Sequence, residues 1–133
     1  MLKEPHFTPE KMLSRLGLKP GTLGRFALVP GPKERSEKIL AALKNPTKSF
    51  SFLGYEMHTG AYDGKTVSVG NGGLYAPDSA ITTEILCAGG VDWLIRIGSC
   101  GSLQKHIKIG DLVIASGALR DPEDEPAVVL ALQ

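Results

Sequence analysis

The chain has 133 residues, 42% of them hydrophobic and 22% charged, with a formal net charge of +1. That length suits one compact domain, able to bury a core without metal or disulfide support. Near-neutral charge and 6% aromatic content leave no electrostatic case for nucleic acid, for an anionic membrane or for single-strand stacking.

The first eleven residues, Met1 to Lys11, lack the apolar stretch of a signal peptide, and no apolar run approaches a membrane span. A soluble cytoplasmic protein, with neither nucleic acid nor membrane as partner, is the expectation. The two cysteines, Cys87 and Cys100, have no CxxC or zinc spacing and read as buried thiols in a reducing compartment. His6, His58 and His106 lack metal spacing. Neither a metal site nor a cofactor is expected.

A first helix is predicted from Thr8 to Leu16, with Thr8 as cap, Pro9 in the first turn and Gly17 as the stop. Met12, Leu13 and Leu16 form its apolar stripe. A turn at Lys19-Pro20-Gly21 leads to a buried strand, Phe26 to Val29, that ends at Pro30-Gly31. The next helix spans about Pro32 to Leu43, and Asn45-Pro46 ends it. Tyr55 to Tyr62 and Thr66 to Gly70 read as strands, joined by the hairpin signal Asp63-Gly64.

Gly70-Asn71-Gly72-Gly73 is a loop. A third helix opens at Pro77 or Asp78, runs to about Ala88 and stops at Gly89-Gly90. Trp93 to Ile97 reads as a central strand and Leu112 to Ser116 as a further one, entered through Gly110-Asp111. Asp121 to Pro126 is acidic and proline-rich, an exposed loop, and Ala127 to Leu132 is an apolar tail that wants a partner surface. Strands alternating with helices, plus one hairpin, predict the α/β class: a layered α/β/α fold around a mixed central sheet.

Two loops carry the chemistry. In Val29-Pro30-Gly31-Pro32-Lys33-Glu34-Arg35, a glycine at a strand end lets a backbone N–H approach an anion. The helix that follows adds its positive dipole end. Arg35 in its first turn is placed to fork onto phosphate oxygens. Taken alone, the signal is weak, because strand–glycine–helix turns are common and an arginine there is more often a solvated surface residue. In Trp93-Leu94-Ile95-Arg96-Ile97-Gly98-Ser99-Cys100-Gly101, an arginine sits inside an apolar strand. A buried Arg96 needs either a carboxylate, with Glu84 as candidate, or an anionic ligand. Ser99 supplies donors at the carboxyl end of that strand, where ligands sit in open α/β sheets. Together the loops describe one anion held by Gly31, Arg35, Arg96 and Ser99. P-loop spacing is absent, and Gly70 to Gly73 is not a dinucleotide fingerprint. No nucleophile–base pair stands out, so no catalytic residue is assigned.

From about His6 to Asp121 these residues resemble the nucleoside phosphorylase family, which includes hexameric purine nucleoside phosphorylases and uridine phosphorylases. Val29 to Arg35 looks like that family's phosphate loop. Arg96 to Gly101, with Leu103-Gln104 and Ile109-Gly110-Asp111, is the most specific segment. The resemblance implies phosphate binding by Gly31, Arg35, Arg96 and Ser99. It also implies nucleoside contacts from Ser99, Cys100 and Gly101, and from His6 across a dimer interface. The implied partners are a nucleoside, phosphate as co-substrate and other copies of the chain in a homo-oligomer. The implied reaction is phosphorolysis of the N-glycosidic bond of a purine nucleoside or uridine.

The pattern departs from the family at three places. Leu53 stands where members place an arginine that reaches a neighbour's phosphate. Tyr75 stands in the family's Gly-x-Gly, and Asp78 where a serine is usual. By the same resemblance, residues 1–133 are the N-terminal portion of one phosphorylase domain, incomplete at the C-terminal side. The Met-Glu segment that holds the ribose hydroxyls lies outside it. Little activity is expected of the chain alone. The alternative is a non-catalytic, phosphate-binding or oligomer-forming remnant of the family.

Overall fold

The computed structural model describes residues 8–52, 54–73 and 75–117. The chain divides into two compact units, Met1–Ser99 and Cys100–Gln133. In the first unit the order is α1 (Pro9–Arg15), β1 (Phe26–Pro30), α2 (Lys33–Leu40), β2 (Lys44–Phe52), β3 (Tyr55–Tyr62), β4 (Lys65–Gly70), α3 (Ala76–Ala88) and β5 (Trp93–Ile97). The strands form one five-stranded sheet in the order β2-β3-β4-β1-β5. β1 runs parallel to β4 and β5, and β2 and β3 are antiparallel to their neighbours. The expected α/β fold with a mixed sheet is therefore present.

Local sequence explains most of these elements. Thr8 Oγ1 accepts from Lys11 N at 3.3 Å and caps α1. Asp63 and Gly64 have φ of 47° and 73°, so the β3–β4 turn is left-handed at both central residues, as a two-residue hairpin requires. α2 stops at Leu40 rather than Leu43. Its last carbonyls are satisfied by tighter bonds, Ala42 N to Ile39 O and Leu43 N to Leu40 O, both 3.0 Å.

β2 is not legible as a strand in the sequence, because Asn45-Pro46 signals a stop and most of its residues are polar and exposed. Its place at the sheet edge is the reason. An edge strand tolerates proline and a break in register, and its lysines discourage further pairing. Two irregularities fall between Lys44 and Phe50.

The core lies on one face of the sheet. Ala27 and Val29 of β1 point into it with Met57 and Phe50, against Met12 and Leu13 of α1 and Ile85 and Leu86 of α3. Phe26 and Leu28 alternate to the opposite face and are half-buried beside α2. Helices thus lie on both faces, as an α/β/α layering requires. A line of hydroxyls crosses the hairpin: Ser49 Oγ lies 2.6 Å from Thr59 Oγ1, which lies 2.8 Å from Ser68 Oγ. Ser68 in turn donates to Leu23 O, so the buried serine is satisfied.

The strand expected from Trp93 to Ile97 forms as β5 and ends the sheet order among the described residues. Two expectations fail here. Cys87 and Cys100 are both exposed, not buried. In the second unit, Leu112 to Ser116 forms no strand. Leu112 and Ile114 are 97% and 89% exposed, and no neighbouring strand pairs with the segment among the described residues. A strand is held by its ladder partners, so apolar composition alone does not make one.

Leu86 is fully buried between the layers. Leu86→Ala is expected to lower unfolding free energy by about 2–5 kcal/mol, read as a shift in urea midpoint at unchanged m-value. A loss below about 1 kcal/mol would contradict this packing.

Candidate functional site

The parallel pairing of β1 with β5 sets Val29 beside Arg96 and Pro30 beside Ile97. Their carboxyl ends therefore finish together, and the chain turns sharply at each. After β1, buried Gly31 leads through Pro32 into α2. Pro32 has extended backbone and makes no side-chain cap. The first N–H groups of α2 consequently lack an intrahelical acceptor. After β5, Gly98 and Ser99 close the first unit.

Two arginines straddle these ends from opposite faces of the sheet. Arg35, in the first turn of α2, donates through Nη1 to Ile97 O at 3.1 Å and through Nη2 to Ser99 Oγ at 3.4 Å. Arg96 lies on the same face as Leu94, which packs against the core. Its Nη1 donates to Val29 O at 3.1 Å. Each guanidinium thus spends donors on strand-end carbonyls and retains others. Neither has a carboxylate partner among the described residues.

The expectation that Arg96 is buried fails, because an edge strand leaves it open to solvent. The Arg96–Glu84 pair does not form. A hydrated guanidinium needs no buried counter-charge.

Gly31, Arg35, Arg96 and Ser99 are therefore brought to one end of the sheet, as the two motifs suggested. Cys100 and Gly101 belong to the second unit and are exposed. His6 and Leu53 lie outside the described residues. His106 is an exposed residue of the second unit, and His58 lines a cavity of about 190 Å3 with Lys33, Ser36 and Glu56. Among the described residues, no group of three or more His, Cys, Asp and Glu could hold a metal ion. No helix among them is long and apolar enough to cross a membrane.

A third loop, not assigned to the site from sequence, closes on the same end of the sheet. Gly72 N donates to Pro30 O at 2.9 Å. A Cβ at Gly72 would lie 2.8 Å from Val29 Cβ, so only glycine lets this backbone cross β1 so closely. Asn71 fixes the loop from its other side. Its Oδ1 accepts from Glu56 N at 2.8 Å and its Nδ2 donates to Gly54 O at 3.1 Å. An asparagine between glycines was the available signal.

Gly31 also opens onto a cleft of about 490 Å3 lined by Glu34, Tyr55, Tyr75 and Asp78. Two of the residues that depart from the family pattern thus face one space. Arg35, Arg96 and Ser99 do not line it; Gly31 alone joins the two regions. Hydrogen bonding to the Asp78 carboxylate pushes the Tyr55 phenol above its ordinary range, and partial burial and the charge of Asp78 act the same way.

The sequence matches the phosphorylase superfamily over residues 25–131. Uridine phosphorylase of Thermococcus kodakarensis is 42% identical over 85% of this chain and 41% of its own length. A DeoD-type purine nucleoside phosphorylase of Caldanaerobacter subterraneus is 40% identical over 83% of this chain and 48% of its own. Guanosine phosphorylase of Halorubrum lacusprofundi is 29% identical over 91% and 46%. The crystal structure of uridine phosphorylase from Vibrio fischeri superposes with a TM-score of 0.71 at 31% identity, covering 78% of this chain and 44% of that one. The chain belongs to the phosphorylase superfamily. It spans less than half the length of these relatives.

Beside the site, Glu56 bonds Lys48 Nζ at 3.0 Å and lies 3.4 Å from Lys33 Nζ. The Lys48 bond and then the charge of Lys33 hold its carboxyl below the ordinary range. A depressed value means that the stabilisation is complete above the unfolded-state pKa and is lost as pH falls through the folded one. Glu56→Gln is expected to make the acid limb of stability against pH shallower, measured by urea midpoints across that limb. An unchanged limb would show that these contacts do not persist in solution.

Proposed function

We propose that this chain supplies the phosphate end of a nucleoside phosphorylase site. The observation that carries the reading is the pair of arginines, Arg35 and Arg96, set from opposite faces at the joined ends of β1 and β5 with no carboxylate partner among the described residues. In this reading phosphate sits between them and takes further donors from Ser99 Oγ and Gly31 N–H. The dipole of α2 adds to the attraction. The relatives named for uridine, purine and guanosine phosphorolysis support the same assignment.

The reaction follows from the charge. The C1′–N bond of a purine nucleoside or uridine breaks, and its electron pair leaves with the base, which then takes a proton. Positive charge develops at C1′ and the ring oxygen. The phosphate dianion held against that face stabilises the cation electrostatically. One of its oxygens then forms the C1′–O bond, giving ribose 1-phosphate and free base. Positioning and preorganised charge carry the acceleration. Phosphate is a co-substrate here, and no cofactor takes part. His6, Ser99, Cys100 and Gly101 are assigned to the nucleoside by resemblance, with His6 reaching a neighbouring subunit of a cytoplasmic homo-oligomer.

A second reading, phosphate binding without turnover, is favoured by two residues. Leu53 removes a cation from the family pattern. Asp78 places a carboxylate in the cleft that Gly31 enters.

Calorimetric titration with inorganic phosphate separates these ideas from a chance pair of arginines. Arg35→Ala and Arg96→Ala are each expected to weaken binding by about tenfold or more, since charged hydrogen bonds contribute about 1.5–3 kcal/mol. Arg15→Ala, at the exposed end of α1, should leave it unchanged. Equal loss in all three variants would remove the site. Base release from inosine, adenosine or uridine that proceeds equally without phosphate would overturn the phosphorylase assignment.

A further inference from the structure

Lys33 is the first residue of α2 and follows Gly31-Pro32 directly. The helix opens with bonds from Arg35 N and Ser36 N to Pro32 O, at 3.2 and 3.4 Å, so the N–H groups of Lys33 and Glu34 face out of its end. Cations are disfavoured there, because they meet the positive end of the helix dipole. Lys33 and Arg35 nevertheless both fall in this turn, beside a single acid, Glu34. Residue choices that oppose a local preference collect at functional sites. Arg35 is explained by its bonds at the end of β5. Lys33 calls for an explanation of its own.

The two side chains leave α2 in opposite directions. Arg35 turns to Ile97 O and Ser99 Oγ, and Lys33 turns toward Glu56 of β3. In the sheet order β1 lies between β3 and β5, so the two cations flank the end of β1 and Gly31 after it.

The hold on Lys33 is loose. Its Nζ lies 3.4 Å from Glu56 Oε2, whereas Lys48 Nζ bonds Glu56 Oε1 at 3.0 Å. The Lys33 side chain is 63% exposed, and exposed ion pairs contribute little. If Lys33 leaves, Glu56 keeps Lys48, so no carboxylate is stranded. Lys33 also lines two spaces, the cavity of about 190 Å3 that contains Glu56 and the cleft of about 490 Å3 that Gly31 enters. Its flexible stem can carry the ammonium from one to the other. In the cleft the ammonium offsets the carboxylates of Glu34 and Asp78, which line it beside Gly31.

We propose that Lys33 is a third cation of the anion site, resting on Glu56 and transferring to phosphate when phosphate binds at Gly31. The inference rests on the reading of Gly31, Arg35, Arg96 and Ser99 as a phosphate site. It adds a charge supplied by α2 itself, and a carboxylate that competes with phosphate for that charge. Glu56 is thus a positioning residue, which sets affinity without touching the ligand.

A double-mutant cycle read by calorimetric titration with inorganic phosphate tests this. Lys33→Gln should weaken binding about tenfold, as loss of a charged hydrogen bond does. Lys19→Gln removes the same charge from an exposed position before β1 and should leave binding unchanged. Glu56→Gln should tighten binding about threefold, the scale of an exposed ion pair. In the Lys33→Gln background Glu56→Gln should have no effect, because the carboxylate then has no cation to withhold. The NMR signals of the Lys33 ε-methylene should move with the same midpoint as the Arg35 Nε–H signal.

Unchanged affinity in Lys33→Gln overturns the proposal. So does a Glu56→Gln effect that persists without Lys33, since it marks a general field and not a transfer. Binding that is lost in Arg35→Ala and Arg96→Ala but kept in Lys33→Gln removes this inference and leaves the phosphate site standing. Absence of phosphate binding to the unaltered chain, or indifference to both arginine variants, removes the phosphate reading itself and the inference with it.

Discussion

The parallel register of β1 against β5 is the constraint on which the rest depends. It ends both strands at the same level, with Val29 beside Arg96 and Pro30 beside Ile97. Parallel strands expose their last carbonyls on one side of the sheet, and a chain leaving there must turn. Gly31 and Gly98 make those turns, and each is followed by a donor group, the start of α2 after one and Ser99 after the other. Slippage by one residue would send Arg96 to the opposite face. It would then lose Val29 O, and Arg35 would lose Ile97 O.

Charge is arranged consistently around that point. Glu56, close to the site in the fold, is held by Lys48 and Lys33 and so is engaged elsewhere. Asp92 is paired with Arg25 at the start of β1 and β5, the far end of the strands. The strand ends at Gly31 and Ser99 are left with two guanidinium groups and neutral donors. The exception is Asp78, which lines the Gly31 cleft together with Tyr55.

Much of this was legible in sequence because the signals were local. Thr8-Pro9 opens a helix, Asp63-Gly64 turns a hairpin, and glycine with arginine after an apolar run marks a strand end. Alternation placed Arg96 opposite Ile95 and Ile97 correctly. What escaped depended on neighbours distant in the chain. β2 is held by its pairing with β3, and its own composition argues against a strand. Arg96, inside an apolar run, is open to solvent because β5 ends the sheet among the described residues, and it has no need of Glu84. Leu112 to Ser116 shows the converse, strand-like composition without a partner among the described residues. Asn71 and Gly72 have the local signature of a plain loop, because their roles concern Glu56, Gly54 and Pro30, which only the fold brings near.

The central claim is that Gly31, Arg35, Arg96 and Ser99 form one anion site. Amide and arginine side-chain NMR signals followed during titration with inorganic phosphate test it most directly. The account predicts that the Gly31 and Ser99 amides and the Arg35 and Arg96 Nε–H signals shift together and saturate with one binding constant. Shifts confined to Lys33 and Lys48, or four signals that move with unrelated midpoints, would contradict it.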